Sequence, residues 1–109
     1  MGDPYYDKIS DRWEEDAVGT SGGATATKAA VEGHELVAAH ISGSGDAAAL
    51  VTIESPASTI LWRKRFAAAF TFSETLPVGC YRSAANTAIL AKISASTSNC
   101  EINLAGFTT

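Results

Sequence analysis

From residue 25 onwards, apolar and polar positions alternate in short runs that are separated by turn-forming residues. The runs are rich in Val, Ile, Thr and Ala, and the residues between them are Gly, Ser, Asn, Asp and Pro. A spacing of about ten residues between such runs is typical of an all-β sandwich or barrel. The predicted strands are 25–31, 35–42, 47–54, 59–66, 67–73, 87–95 and 100–107.

The stretch ALVTIESPASTILWRKRF, residues 49–66, predicts a hairpin that turns at SPAS. With a tight turn there, Ile53 faces Ile60 and Val51 faces Trp62. Because side chains alternate across a strand, these four residues share one apolar face. Leu50, Thr52 and Leu61 then lie on the opposite face.

The basic triplet at the end of this stretch fits the same alternation. Arg63 and Arg65 point away from the core, and Lys64 is in phase with the buried residues near the strand end. A long lysine stem can reach water from such a position. The triplet is therefore explained as the solvent face of a strand, or as an interface with an acidic surface such as the acidic arm of a neighbouring subunit.

A second hairpin is predicted where STSN, residues 96–99, separates two alternating runs. Pairing across that turn places one apolar set on one face and one polar set on the other, which is stronger evidence than composition. The apolar set is Ala91, Ile93, Ala95, Cys100, Ile102 and Leu104, and the polar set is Lys92, Ser94, Glu101 and Asn103.

Phe66, Phe70 and Phe72 alternate in phase and are expected in the core. The run SGSGD, residues 42–46, is interpreted as a further hairpin connection rather than a phosphate-binding loop, because it lacks the GxxxxGK[ST] pattern.

The first residues differ from the rest of the chain. Residues 1–16 contain six acids and two bases, so they carry the whole net charge of −4. Tyr6, Ile9 and Trp13 have helical spacing, which predicts a short helix that orders on a partner. We expect an arm and glycine-rich joint over 1–23, a sandwich domain over 24–109, and partner contacts by Tyr5, Tyr6, Ile9 and Trp13.

Charge and hydropathy exclude several classes of function at this stage. A neutral body with an acidic arm is not expected to bind nucleic acid, which requires a positive surface. The apolar runs are much shorter than the roughly 20 residues of a membrane helix. The acidic, polar start is not a secretory signal, so we expect a soluble protein made in the cytoplasm, with no membrane partner.

No pattern in the sequence predicts catalysis, a metal or a cofactor. Cys80 and Cys100 are expected to be free thiols, and two cysteines cannot close a zinc site alone. His34 and His40 are predicted on one side of a strand, roughly 20 Å apart, too far to share an ion within a monomer. We therefore expect a protein that is not an enzyme and holds no cofactor. Tyr81 and Arg82, in the predicted long loop TLPVGCYRSAAN over 75–86, join Arg63 and Arg65 as candidate interface residues.

The layout of an arm followed by GDAAALVTIESPASTILWRKRFAAAFTFSETLPVG, residues 45–79, resembles a known family. It is similar to the small β-sandwich virion proteins of tailed bacteriophages, which decorate or cement capsids and sometimes serve in head fibres or tails. The resemblance covers roughly 24–107 and defines no site residue. It implies a jelly-roll or immunoglobulin-like sandwich without catalytic activity.

The resemblance gives the functional expectation. The chain is expected to be a capsid decoration protein that binds the outer surface of the head shell and stabilises it, as a homotrimer. Its partner would be the major capsid protein or another virion protein, and its location would be the virion, assembled in the host cytoplasm. The alternative is a tail or head-fibre module that binds a host-surface carbohydrate through loops at one end of the sandwich.

Overall fold

The computed structural model describes residues 11–20, 22–94 and 99–109, which form eight strands in two antiparallel sheets. Sheet A has the order β1-β8-β3-β6, and sheet B has the order β2-β7-β4-β5. The predicted antiparallel β-sandwich is confirmed. The strands are β1 (Arg12–Gly19), β2 (Ala24–Lys28), β3 (Leu36–Gly45), β4 (Ala49–Glu54), β5 (Ile60–Phe66), β6 (Phe70–Thr75), β7 (Ile89–Ile93) and β8 (Cys100–Thr108).

The strand pairs show how the chain is rolled. β4 pairs with β5, β3 with β6, β2 with β7, and β1 with β8, as in one long hairpin folded back on itself. The contacts of β3 with β8 and of β4 with β7 complete the two sheets. This order is that of a jelly roll. Of the two topologies expected from the sequence, the immunoglobulin-like one is therefore excluded.

The core lies between the sheets, where the inward-facing residues of both meet. Each fully buried aliphatic side chain there contributes about 1.5–3 kcal/mol relative to an exposed one. The largest fully buried side chains are Leu36, Val37, Ile41, Val51, Ile53, Ile89, Ile93, Ile102 and Leu104.

The predicted turn at SGSGD is wrong. Residues 42–45 belong to β3, which ends at Gly45. The chain then passes from sheet A to β4 of sheet B through residues 46–48. Gly43 lies between Phe72 and Ile102, and a Cβ there would lie 2.7 Å from the Glu101 carbonyl oxygen. The glycine is thus explained by close packing within a central strand and not by a turn.

The β4–β5 hairpin exists, but its register differs from the predicted one. Val51 pairs with Lys64 and Ile53 with Trp62, a shift of two residues. The turn is wider than SPAS alone, since the Ser55 N–H donates to the Thr59 carbonyl at 3.0 Å, and a bulge follows Ile53. A shift of two keeps Val51, Ile53 and Trp62 on their predicted face, whereas a shift of one would have reversed them.

For two residues next to the bulge, the alternation in the sequence predicts the wrong face of the strand. Ile60, expected in the core, pairs with Glu54 and is 45% exposed. Leu61, expected on the outer face, packs against the core. The bulge causes both errors because it changes the alternation at the start of β5.

The second predicted hairpin is wrong in its pairing but right in its faces. β7 lies in sheet B and β8 lies in sheet A, so the two strands are not hydrogen-bonded neighbours. Ala91, Ile93, Cys100, Ile102 and Leu104 are nevertheless all buried. They meet across the core instead of side by side. Ala95, the sixth residue of that set, lies outside the described residues.

The second half of the predicted arm is part of the sandwich. Residues 12–19 form β1, an edge strand paired with β8 from Arg12↔Phe107 to Gly19↔Cys100. The helix expected from the spacing of Trp13 is therefore wrong at that residue, and the boundary at residue 24 lies too late. Trp13 packs against the core. Tyr5, Tyr6 and Ile9 lie outside the described residues.

The histidine prediction also needs correction. A bulge between Ala38 and His40 shifts the alternation of β3, so Leu36 and Ala38 lie in the core while His40 lies on the outer face of sheet A. His34 precedes β3, and its Nδ1 is hydrogen-bonded to the Thr109 carbonyl oxygen.

Candidate interaction surfaces

The outer face of sheet B carries three cations, and we call it the basic face. Arg63 on β5 and Lys92 on β7 both lie opposite Thr52 of the central strand β4. Arg65 lies two residues along β5, opposite Leu50. Directly opposed residues share a face, so the three cations project from the same side, with Leu50 and Ile60 between and beside them.

The two arginines of the basic face have no ionic partner in the part of the chain that the structure describes. Within residues 11–20, 22–94 and 99–109, neither Arg63 nor Arg65 forms a hydrogen bond or ion pair through its side chain, and both are exposed. Lys92 has a distant partner in Glu54, with 3.9 Å between Nζ and Oε2. The face can therefore accept negative charge from another molecule.

Glu54 is the acid of this face, but it is buried and already bonded. It is only 4% exposed, accepts the Thr52 hydroxyl at 2.7 Å and accepts the Ser58 N–H at 2.8 Å. Burial alone would raise the pKa of Glu54. These two hydrogen bonds and the Lys92 ammonium outweigh it, so the pKa is held below its ordinary value.

The outer face of sheet A is acidic on one side, and we call that side the acidic face. Glu14 and Asp16 project from β1, and Glu101 projects from β8, opposite the 74% exposed Val18. Asn103 lies beside them and donates its Nδ2–H to Glu14 at 2.7 Å. Asp16 and Glu101 have no side-chain partner among the described residues.

Hydroxyl groups line the other side of the same sheet face. Together with the acidic face they border an open groove of about 810 Å³. His40 is fixed there by two hydroxyls, with 3.0 Å from Nε2 to Ser73 Oγ and 3.3 Å from Nδ1 to Thr75 Oγ1. Ser42 and Ser44 continue this polar surface along β3.

The edge between β5 and β6 joins the two sheets through aromatic side chains. Phe66 and Phe70 stack with ring centroids 4.2 Å apart, and Phe72 lies 5.3 Å from Phe66. Phe72 is buried and the other two are half-buried, so the predicted core position is confirmed most fully for Phe72. Lys64, the basic residue in phase with the core, forms an ion pair with Glu74 across this edge. Its charge is therefore partnered at the surface and not buried.

The loop candidates Tyr81 and Arg82 are held by β3. The Ala38 N–H donates to the Tyr81 carbonyl at 2.9 Å, and Tyr81 packs against the core. Arg82 Nε donates to Glu35 Oε1 at 2.6 Å. Tyr81 is therefore held by packing and Arg82 by an ion pair, whereas the side chains of Arg63 and Arg65 form no hydrogen bond or ion pair among the described residues.

The described residues give no arrangement for metal chemistry. In them, no group of three or more His, Cys, Asp or Glu side chains could hold an ion. Cys80 is an exposed free thiol and Cys100 a buried one, as expected. No helix in the described part of the chain is long and apolar enough to cross a membrane.

The sequence located one of the two charged faces. Arg63 and Arg65 were identified as outward-facing, and the structure adds Lys92 beside them. The acidic face was missed because Glu14 and Asp16 were assigned to an arm. A partial signal was present in RWEEDAV, where Trp13 and Ala17 are in phase with each other and out of phase with Glu14 and Asp16, but Glu15 interrupts the apolar phase.

Comparison with known proteins adds no relative. The chain matches no protein-family model, no curated protein and no solved structure.

Proposed function

We propose that this protein is a structural component of a bacteriophage virion, a decoration protein that binds the outer surface of the head shell in many copies. The observation that carries the proposal is the segregation of charge on the sandwich. Among the described residues, one outer sheet face presents two arginines without a side-chain partner, and the other presents Asp16 and Glu101 without one. Two broad exposed faces of opposite charge suit contacts between proteins.

The strand order adds support by analogy. Jelly rolls of eight strands occur in viral capsid proteins and also in lectins, so the fold is compatible with a shell component without implying one. Many copies on a symmetric shell add up weak contacts, which suits a small domain with modest surfaces.

We assign the shell contact to residues 1–10. That segment contains Tyr5, Tyr6 and Ile9, and it precedes the edge strand β1. Large aromatic residues provide much contact area at low conformational cost. Because the first strand begins only at Arg12, contacts by residues 1–10 would take no residue from the eight described strands.

A carbohydrate-binding module acting through the 75–86 loop has less support. Arg82 is paired with Glu35, and Tyr81 is half-buried against the core. A sugar would have to compete with contacts that already exist within the chain.

The first test is whether the protein belongs to a particle. A lysate of the source is fractionated on a density gradient, and the protein is quantified by mass spectrometry. We expect it to sediment with particles, in a fixed ratio to the shell-forming protein. Its recovery only as free protein, from a lysate that contains particles, would contradict the proposal.

The second test concerns residues 1–10. A variant lacking 2–10, with a C-terminal tag, is added to particles stripped of the native protein. Binding should be lost, while a control with residues 2–10 in scrambled order shows whether composition alone is sufficient. Full binding by the shortened protein would rule out the proposed anchor.

A further inference from the structure

We propose that the acidic face of one copy binds the basic face of a second copy, head to tail. The inference rests on the proposed function in one respect, namely that many copies of the protein lie next to one another. It names a partner for Arg63 and Arg65, whose side chains have none among the described residues.

The charges of the two faces are complementary and available. Arg63 and Arg65 have no side-chain partner among the described residues, and neither have Asp16 and Glu101. All four side chains are exposed. A like face on a second copy would repel each of them, so the charge pattern opposes a contact between two identical faces and favours one between unlike faces.

The spacing of the charges also matches. Glu14 and Asp16 are two residues apart on β1, and Arg63 and Arg65 are two residues apart on β5. Residues so placed in a strand point the same way and lie about 7 Å apart. One carboxylate pair can therefore meet one guanidinium pair at the same time, and guanidinium groups bind carboxylates in a well-defined geometry.

Each face also offers apolar contact beside its charges. Val18, next to Glu101, is 74% exposed, and Ile60, on the strand of the arginines, is 45% exposed. Contacts between proteins combine apolar and polar area, and these two residues add apolar area at one end of each charged row.

The positions of the faces determine the kind of assembly. β1 is an edge strand of sheet A, and β5 is an edge strand of sheet B at the other side of the sandwich. A contact between different surfaces of identical copies is heterologous, so each copy retains a free face for the next. Such contacts produce a closed ring, such as a trimer, or a chain that continues to grow.

The test uses two charge-reversed full-length variants. The first carries Arg63→Glu and Arg65→Glu, so both of its faces are acidic. The second carries Glu14→Lys and Asp16→Lys, so its acidic face becomes basic. A control with glutamates at Ala29, Ala30, Ala84 and Ala85, which are exposed and outside both faces, makes the same change in net charge as the first variant.

Sedimentation velocity over a range of concentrations gives the association constants. We expect the wild type and the control to associate beyond dimers in low salt and to dissociate in about 1 M salt, where the screening length is about 3 Å. Each reversed variant should associate at least about tenfold more weakly alone, as for several exposed ion pairs acting together. An equimolar mixture of the two should recover association, because each supplies the charges the other lacks.

Several results would overturn the inference. They are a monomeric wild type in low salt, a discrete dimer that does not grow, and a mixture no more associated than its components. Thermal unfolding of each variant checks its fold, and Arg63→Gln with Arg65→Gln repeats the test without reversed charge. Binding to particles is measured separately, so a protein that binds shells but does not self-associate refutes this contact and leaves the proposed function intact.

Discussion

At the scale of single residues, Glu54 shows how a buried charge is kept. Its carboxylate has little contact with water and is held by a hydroxyl, a backbone N–H and a nearby ammonium. We expect Glu54→Gln to lower the free energy of unfolding by about 1–3 kcal/mol, since bonds to a charged acceptor become weaker. Urea denaturation at neutral pH measures the loss. Glu32→Gln, in an exposed turn, serves as the control and should change little.

The same residue predicts a dependence on pH. A carboxyl whose pKa is lower in the folded state stabilises the fold above its unfolded pKa, and the stabilisation disappears as the pH falls through the folded value. The difference in stability between wild type and Glu54→Gln should therefore shrink below about pH 4.3, the ordinary glutamate value. A difference that stays constant across this range would show that the charge of Glu54 contributes nothing.

Gly106 gives a prediction about close packing. A Cβ there would lie 1.9 Å from the Val37 carbonyl oxygen, a backbone atom of the neighbouring strand that cannot rotate away. Gly106→Ala should cost at least about 1–3 kcal/mol, because β3 and β8 must separate locally. The adjacent Ala105→Gly creates no clash and should cost about 0.5–1 kcal/mol. Equal losses in thermal unfolding would contradict this explanation.

At the scale of elements, alternation determined which side of a strand is buried but not which strand lies beside it. Seven predicted strands correspond to β2–β8, and their apolar phases were largely right. Ile93 and Ile102 show the limit, since both point inward whether their strands pair or face each other across the core. The bulges at Ala39 and Leu61 each shift the alternation of buried and exposed residues by one position, and neither residue type indicates a bulge in the sequence. The acidic face could be predicted only by recognising β1 as a strand. The helical spacing of Tyr6, Ile9 and Trp13 favoured a helix there instead.

The same scale determines where the chain can be shortened. Removing residues 2–10 retains all eight described strands, and we expect the melting temperature to stay nearly unchanged. Removing residues 2–20 deletes β1, exposes the edge of β8 and uncovers the core beside Trp13. We expect that longer truncation to lower the melting temperature and to bind a dye specific for exposed apolar surface. Identical melting of the two truncations would show that β1 adds nothing to the sandwich.

At the scale of the whole molecule, one core joins both sheets and both edges. Trp13 packs on it from β1 at one side, and Trp62 packs on it from β5 at the other. A single core predicts cooperative, two-state unfolding. The fluorescence of Trp13→Phe reports on the β5 side, and that of Trp62→Phe reports on the β1 side. For each variant, its own fluorescence and circular dichroism transitions should coincide. An earlier fluorescence transition in Trp62→Phe would show that β1 detaches first.

The pairing of β1 with β8 has a consequence for synthesis. β1 is translated before the other seven described strands, yet its partner β8 is complete only when residue 108 has been added. β2 waits for β7 in the same way, and among the described strands only β4 and β5 are both consecutive in the chain and hydrogen-bonded to each other. Contacts this distant along the chain form slowly, and unpaired strands can associate with other molecules in the meantime. In a nascent chain, β1 therefore has no partner strand until β8 has been made, and neighbouring nascent chains on one message are the molecules it is then nearest to.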